Sequence, residues 1–423
     1  MAVDVQRTLD AVWRIESPRL IAGVARLVRD VGVAEDVAQE AFVAALEQWP
    51  ESGVPDNPGA WLMGTAKHKA IDRVRHAGVH DRKTEELAGE IERRGAHEHP
   101  DLAAAVDDPF DDDLLRLIFT TCHPVLSTDA RVALTLRLLG GLSTSEIARA
   151  YLVPEATVAQ RIVRAKHTLS AARVPFEVPE RGELAERLAS VLEVIYLVFN
   201  EGYAATAGEH WLRPELLEEA LRLGRILAEL LPSEAEVHGL VALMELQASR
   251  ARARVGPAGA PILLLEQDRS RWDWLLVQRG LTALARAYRT GGALGPYTLQ
   301  AAIAACHARA RTAEDTDWGR IVALYDGLAQ LMPSPVVELN RAVAIGMAIG
   351  PAAALERVDE LRDEPALREY HLLPTVRGDL LEKLGRAREA SEEFARAAAL
   401  TANARERAVL LERVAASAPR NGG

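Results

Sequence analysis

Cysteine is nearly absent from this chain: Cys122 and Cys306 are the two among 423 residues. Two thiols make neither a disulfide framework nor a zinc set, and a reducing cytoplasm is the expected compartment. Aromatic residues make up 5% of the chain, and runs alternating apolar with polar residues are scarce, so a sheet-rich fold is not expected. No stretch is long and apolar enough to span a bilayer, and the opening MAVDVQRTLDAVWRIE has no signal-peptide core. There is no glycine-rich phosphate loop and no nucleophile elbow. What remains is dominated by Ala, Leu, Arg and Glu at an ordinary apolar fraction. The expectation is an all-α protein of two or three domains.

The most informative stretch is STSEIARAYLVPEATVAQRIVRAKHTLSAAR, residues 143–173. Ser143 or Ser145 can cap a first short helix whose apolar face is Ile147, Ala148 and Leu152. Val153-Pro154 breaks it, and Pro154 stands where a new helix can begin. At 100° per residue, Val158, Ile162, Ala165 and Leu169 of the second helix fall in one narrow stripe. Thr157, Gln160, Arg161 and Arg164 fall on another face. An apolar stripe to dock the helix, beside a face of Arg, Gln and Thr, is what major-groove base and phosphate contacts require.

The charge is uneven. The chain carries a formal net charge of −11, where a free-standing DNA binder is usually basic. Residues 67–83 hold six Lys/Arg against two Asp, and residues 84–113 hold two Arg against eleven acids. Such a chain is expected to bind DNA poorly alone and well within a larger complex. Four segments follow from the periodicity: a helical block over 1–77, an acidic flexible linker over 78–111, a second helical block over 112–175 ending in the helix-turn-helix, and helix after helix over 181–416. The joint between the last two carries Val174-Pro175 and Val178-Pro179, which favour extended backbone. In the last segment Gly378, Ala390, Phe394 and Ala397 have tetratricopeptide spacing, with Gly385 in the turn. Ala354, Val358 and Leu361 repeat that spacing after Gly350. An irregular helical solenoid is expected there, a surface that binds partners.

Two stretches stand out in the first block. In Val33 to Glu47, the residues Asp36, Gln39, Glu40 and Glu47 share one helix face. In Asn57 to Arg75, Asn57 can cap and Pro58 can open a helix. Trp61, His68, Asp72 and Arg75 lie along one face of it, with Lys67, Lys69 and Arg73 around them. A positive helix bearing an aromatic suits unpaired DNA, where bases stack and phosphates need neutralising.

This order of parts resembles bacterial sigma factors of the extracytoplasmic-function type: an acidic-faced helix, a W-L-x-x-x-A-x-x-x-x-x-D-x-x-R helix, a linker, then a helix-turn-helix. The likeness covers roughly residues 8–175. Phe199-Asn-Glu-Gly-Tyr203, Leu265-Glu-Gln-Asp-Arg-Ser-Arg-Trp-Asp273 and Glu338-Leu-Asn-Arg-Ala-Val343 resemble the subgroup with a C-terminal tetratricopeptide-like domain. The resemblance implies a region 2 bundle over 1–77 and a region 4 helix-turn-helix over 112–175. It implies that Asp36, Gln39, Glu40 and Glu47 dock on the clamp coiled coil of core RNA polymerase. Trp61, Lys67, His68, Lys69, Asp72, Arg73 and Arg75 would hold the −10 element of promoter DNA. Glu155, Thr157, Gln160, Arg161 and Arg164 would read the −35 element. His68 stands where the family often has Asn. The acidic segment 84–113 would thread the channel that RNA later uses, and the C-terminal domain would set activity or recruit a protein partner.

No enzymatic activity, cofactor or metal is expected. Glu266, Asp268 and Asp273 could form an acid/base or metal site, but Asp268 and Asp273 do not share a helix face. Salt bridges and hydrogen bonds at a turn explain them better. Cys122-His123 offers two ligands without two more. The alternative to a sigma factor is a stand-alone helix-turn-helix regulator with a helical sensing domain, which would bind its duplex without polymerase.

Overall fold

Among the described residues of the computed structural model, every regular element is a helix. The structure describes residues 2–77, 110–205, 212–256, 262–291 and 294–417. Among them no strand forms, and no helix is long and apolar enough to cross a membrane. The chain divides into two compact units, Met1–Ile195 and Tyr196–Gly423.

The first unit begins with α1 (Ala2–Val28), α2 (Val31–Ser52) and α3 (Pro58–Ala77). Asp30 caps α2, its carboxylate accepting from Gly32 N at 2.8 Å and Val33 N at 2.9 Å. Asn57 does the same for α3, accepting from Ala60 N at 3.0 Å. These caps satisfy donors that every helix start leaves open. Leu20, Ile21 and Val24 of α1, Val37, Ala41 and Trp49 of α2, and Leu62 and Ala66 of α3 form the shared core.

Then come α4 (Phe110–Thr121), α5 (Thr128–Leu138), α6 (Thr144–Tyr151) and α7 (Glu155–Ala171). α4 opens at Phe110, so residues 110 and 111, expected at the end of the linker, lie in its first turn with Asp112 and Asp113. Acidic residues are favoured there by the helix dipole. Asp113 is 1% exposed and ion-paired with Arg26 at 3.3 Å and Arg116 at 2.7 Å. The expected acidic linker is therefore shorter than its sequence limits, and its other residues, 78–109, lie outside the described residues.

α8 (Arg181–Tyr203) follows. Ser190 Oγ donates to Cys122 O at 2.6 Å, and Arg187 to Phe119 O at 2.9 Å. The first part of α8 thus belongs to the first unit. The division into compact units falls after Ile195, inside a helix and downstream of the proline-rich joint.

The second unit runs from the end of α8 through α9 (Pro214–Leu230), α10 (Ala235–Ala248), α11 (Trp274–Arg289), α12 (Pro296–Arg309), α13 (Trp318–Leu331), α14 (Pro335–Ala348), α15 (Pro351–Glu360), α16 (Leu372–Lys383), α17 (Ala387–Leu400) and α18 (Ala404–Ser417). α14–α15 and α16–α17 are helical hairpins turning at Gly350 (φ 139°) and Gly385 (φ 75°), a backbone region that favours glycine. Ala354, Val358, Ala390, Phe394 and Ala397 are completely buried in one common core, with Leu361 packed against it. A Cβ on Gly378 would stand 2.7 Å from the Phe394 ring, so this glycine lets α16 and α17 close.

Asp268 caps a short turn by accepting from Ser270 N at 2.9 Å, and Asp273 caps α11 by accepting from Leu275 N at 3.0 Å.

Candidate nucleic-acid interface

α6, the turn after it and α7 form a helix-turn-helix. Ser143 and Glu146 close a capping box at the start of α6. Burial works against the Glu146 charge, but the Ser143 backbone and hydroxyl and nearby Arg14 hold its carboxyl below the usual range. Val158, Ile162, Ala165 and Leu169 are buried beneath α7, and Ile147 and Ala148 beneath α6. Leu152 departs from the expected apolar face. It ends α6 in the left-handed conformation (φ 51°, ψ 40°), which turns its side chain outward to 56% exposure.

On α7, Glu155, Gln160 and Arg164 are exposed and Thr157 is half-buried. Arg161 is also half-buried and pairs with Asp129 of α5 at 2.9 Å. The outward face is broader than the sequence pattern gave. It includes Ala156, Ala159, His167 and Val163, and Val163 is 65% exposed. An apolar residue exposed amid Arg and Gln was the available signal. A stripe search ranks Val as core and passes over it.

On α3, His68, Asp72 and Arg75 are exposed, and Trp61 is half-buried with its ring edge-on to Trp49 at 5.4 Å. Lys69 and Arg73 lean to one side and pair with Glu40 of α2 at 3.9 and 2.9 Å. Lys67 turns to the other side. Its pKa is lowered by burial, then by Arg26, with Asp113 opposing. Trp61, His68, Asp72 and Arg75 follow a central line, Lys69 and Arg73 bridge to α2, and Lys67 is half-buried near Arg26 and Asp113. Val12, Ile15, Glu16 and Asp56 help line an open groove of about 310 Å³ at the start of this helix.

On α2, Asp36, Glu40 and Glu47 are exposed, while Gln39 is half-buried and donates to Glu35 at 2.8 Å. Sequence reading missed Glu35. It is 3% exposed, and its Oε1 accepts from Arg137 Nε of α5 at 2.7 Å. Its Oε2 lies against Lys166 Nζ of α7 as an ion pair. Glu35 thus ties the acidic-faced helix to the helix-turn-helix.

The fold and this surface define a helix-turn-helix DNA-binding protein. Residues 13–79 match the model of sigma-70 region 2, residues 116–169 that of sigma-70 region 4, and residues 187–288 a family of unknown function (DUF6596). An uncharacterized protein of Rhizobium meliloti is 45% identical over 398 residues, 93% of this chain and 92% of that one. The ECF RNA polymerase sigma factor SigC of Mycobacterium tuberculosis is 31% identical over 171 residues, 40% of this chain and 82% of that one. The RNA polymerase sigma-H factor of Pseudomonas aeruginosa is 31% identical over 174 residues, 40% and 88% respectively. No solved structure matches the chain. The chain belongs to the extracytoplasmic-function family of RNA polymerase sigma factors, and carries a helical extension C-terminal to its two sigma regions. As a sigma factor it directs transcription initiation, with core RNA polymerase and promoter DNA as its partners.

Proposed function

We propose that α7 reads the −35 element through Glu155, Thr157, Gln160 and Arg164, with Arg161 anchored to Asp129 at the edge. α3 holds the −10 element through Trp61, His68, Asp72 and Arg75, while Lys69 and Arg73 link it to α2. Lys67 supports α3 from its buried side. The outer face of α2, with Asp36, Glu40 and Glu47, docks on the clamp coiled coil of the polymerase, and Gln39 braces Glu35 behind it. The observation that carries this reading is the exposed face of α7, set on a buried stripe of Val158, Ile162, Ala165 and Leu169.

The free chain holds these surfaces together. Elements named −10 and −35 are ~25 base pairs apart, or ~85 Å along a duplex. A compact domain of the first unit's length is only about 40 Å across. Touching both elements at once requires the unit to open, and the Glu35 contacts to Arg137 and Lys166 must break. α2 carries the latch on one face and the polymerase-docking acids on the other, so docking acts on the latch directly.

The second unit sets the activity of the first or recruits a protein partner. Run-off transcription with core polymerase tests both parts. Full-length protein gives specific transcripts, and truncation after Ile195 changes their yield. That cut keeps the part of α8 that covers Cys122, which a cut at residue 175 would remove. Equal yields from both proteins would exclude a regulatory second unit.

A further inference from the structure

Two stretches that the promoter reading leaves unused, around Tyr203 and around 265–273, meet in the second unit. The Tyr203 ring stacks on Phe199 at 5.5 Å. Its hydroxyl accepts from Arg250 Nη2 at 2.6 Å, and Arg254 lies 3.6 Å from its ring. The Arg250 guanidinium is 5.8 Å from the Trp272 ring. Arg269 approaches the same ring at 4.8 Å, held by His307 O at 2.5 Å and Ala310 O at 2.8 Å.

Glu406 lies in the field of Arg254, whereas Arg250 and Arg269 carry positive charge without a matching acid among the described residues. Arg250 and Arg269 bond to Tyr203, Gln247 and two backbone carbonyls, and neither pairs with a carboxylate among the described residues. The acids in the field of Arg269 are Glu314 and Asp315. Both are exposed, and Asp315 already accepts from Thr312 N at 3.2 Å. Burial, then Arg250 and Arg269, push the His307 pKa down to about 4, so its ring is neutral. Three nitrogens of the cluster are buried without a partner: Arg269 Nη2, Trp272 Nε1 and His307 Nδ1. Trp272 is only 3% exposed. An indole N–H can only donate, and a buried donor left unmade is costly.

We infer that Arg250, Arg269, Trp272 and His307 form a binding site for a small phosphate-bearing ligand. The two guanidiniums supply charge, while the indole N–H and the imidazole fix individual oxygens. A carboxylate is satisfied in one plane by a single arginine fork. Donors from four side chains on three segments, Arg269 and Trp272 sharing one turn, suit a tetrahedral group that accepts from several directions. The site stands independently of the promoter surfaces, because all four residues lie in the second unit.

The test is calorimetric titration of the full-length protein at fixed ionic strength with inorganic phosphate, glycerol phosphate, acetate and chloride. We expect one saturable site for phosphate, for its ester or for both, which distinguishes the free ion from an esterified source. Trp272→Phe removes the N–H and keeps the ring, and Arg269→Lys keeps the charge and loses the fork. Each should weaken binding about tenfold, with the melting temperature of the ligand-free variant checked in parallel. If one variant fails to fold, the other decides. Binding unchanged in a folded variant, acetate binding as well as phosphate, or no saturable heat with either phosphate would each overturn the assignment.

Discussion

Single residues decide what the recognition helix can read. Arg164 is exposed, whereas Arg161 is half-buried and held by Asp129. Arg164→Ala should therefore cost about 1–3 kcal/mol in promoter binding by the holoenzyme, and Arg161→Ala less. Competition binding against one −35 duplex measures both, and the reverse order would contradict the assigned face. Val163 stands 65% exposed between Gln160 and Arg164. An apolar side chain in the major groove finds one apolar partner, the thymine methyl. Replacing the −35 thymines one at a time by deoxyuridine should identify one position where wild type loses about 1 kcal/mol. Val163→Ala should lose little there, and equal sensitivity in both proteins would remove this contact.

At the scale of elements, much was legible in the sequence. The stripe at Val158, Ile162, Ala165 and Leu169 is fully buried, because a 3.6-residue period leaves little choice of inward face. The Asn57 cap at α3 and the glycine turns at Gly350 and Gly385 were equally plain, since few residues do those jobs. What stayed hidden came from tertiary contacts. Leu152 looked like core until the turn swung it outward. Lys67 looked like part of a basic face until Arg26 and Asp113 were seen beside it. Glu35 looked like one more acid on α2, and its partners Arg137 and Lys166 are more than 100 residues away in the chain. The hairpin α16–α17 invites a direct check. Phe394 is completely buried against Gly378, so Phe394→Ala should cost about 3–5 kcal/mol in urea unfolding. A loss under 1 kcal/mol would mean that the hairpin does not depend on this packing.

At the scale of the whole molecule, the first unit is, on the proposed reading, a closed form held at Glu35 that opens when it docks. Glu35 is buried between two cations, and removing one charge of such a group is destabilising. Glu35→Gln should lower the stability of the closed form by about 3 kcal/mol and lengthen the distance between probes on α3 and α7, read by energy transfer in the absence of polymerase. An unchanged distance would place the closing force elsewhere. The acidic balance fits the same picture. A subunit of net charge −11 is expected to bind bare duplex weakly and to gain its footing on DNA within the polymerase complex.

The most direct test is a gel shift of one promoter duplex with the purified chain, with core polymerase, and with both. Only the mixture should give a specific complex, and Arg164→Ala should weaken it. A specific complex of equal strength formed by the chain alone would contradict the account.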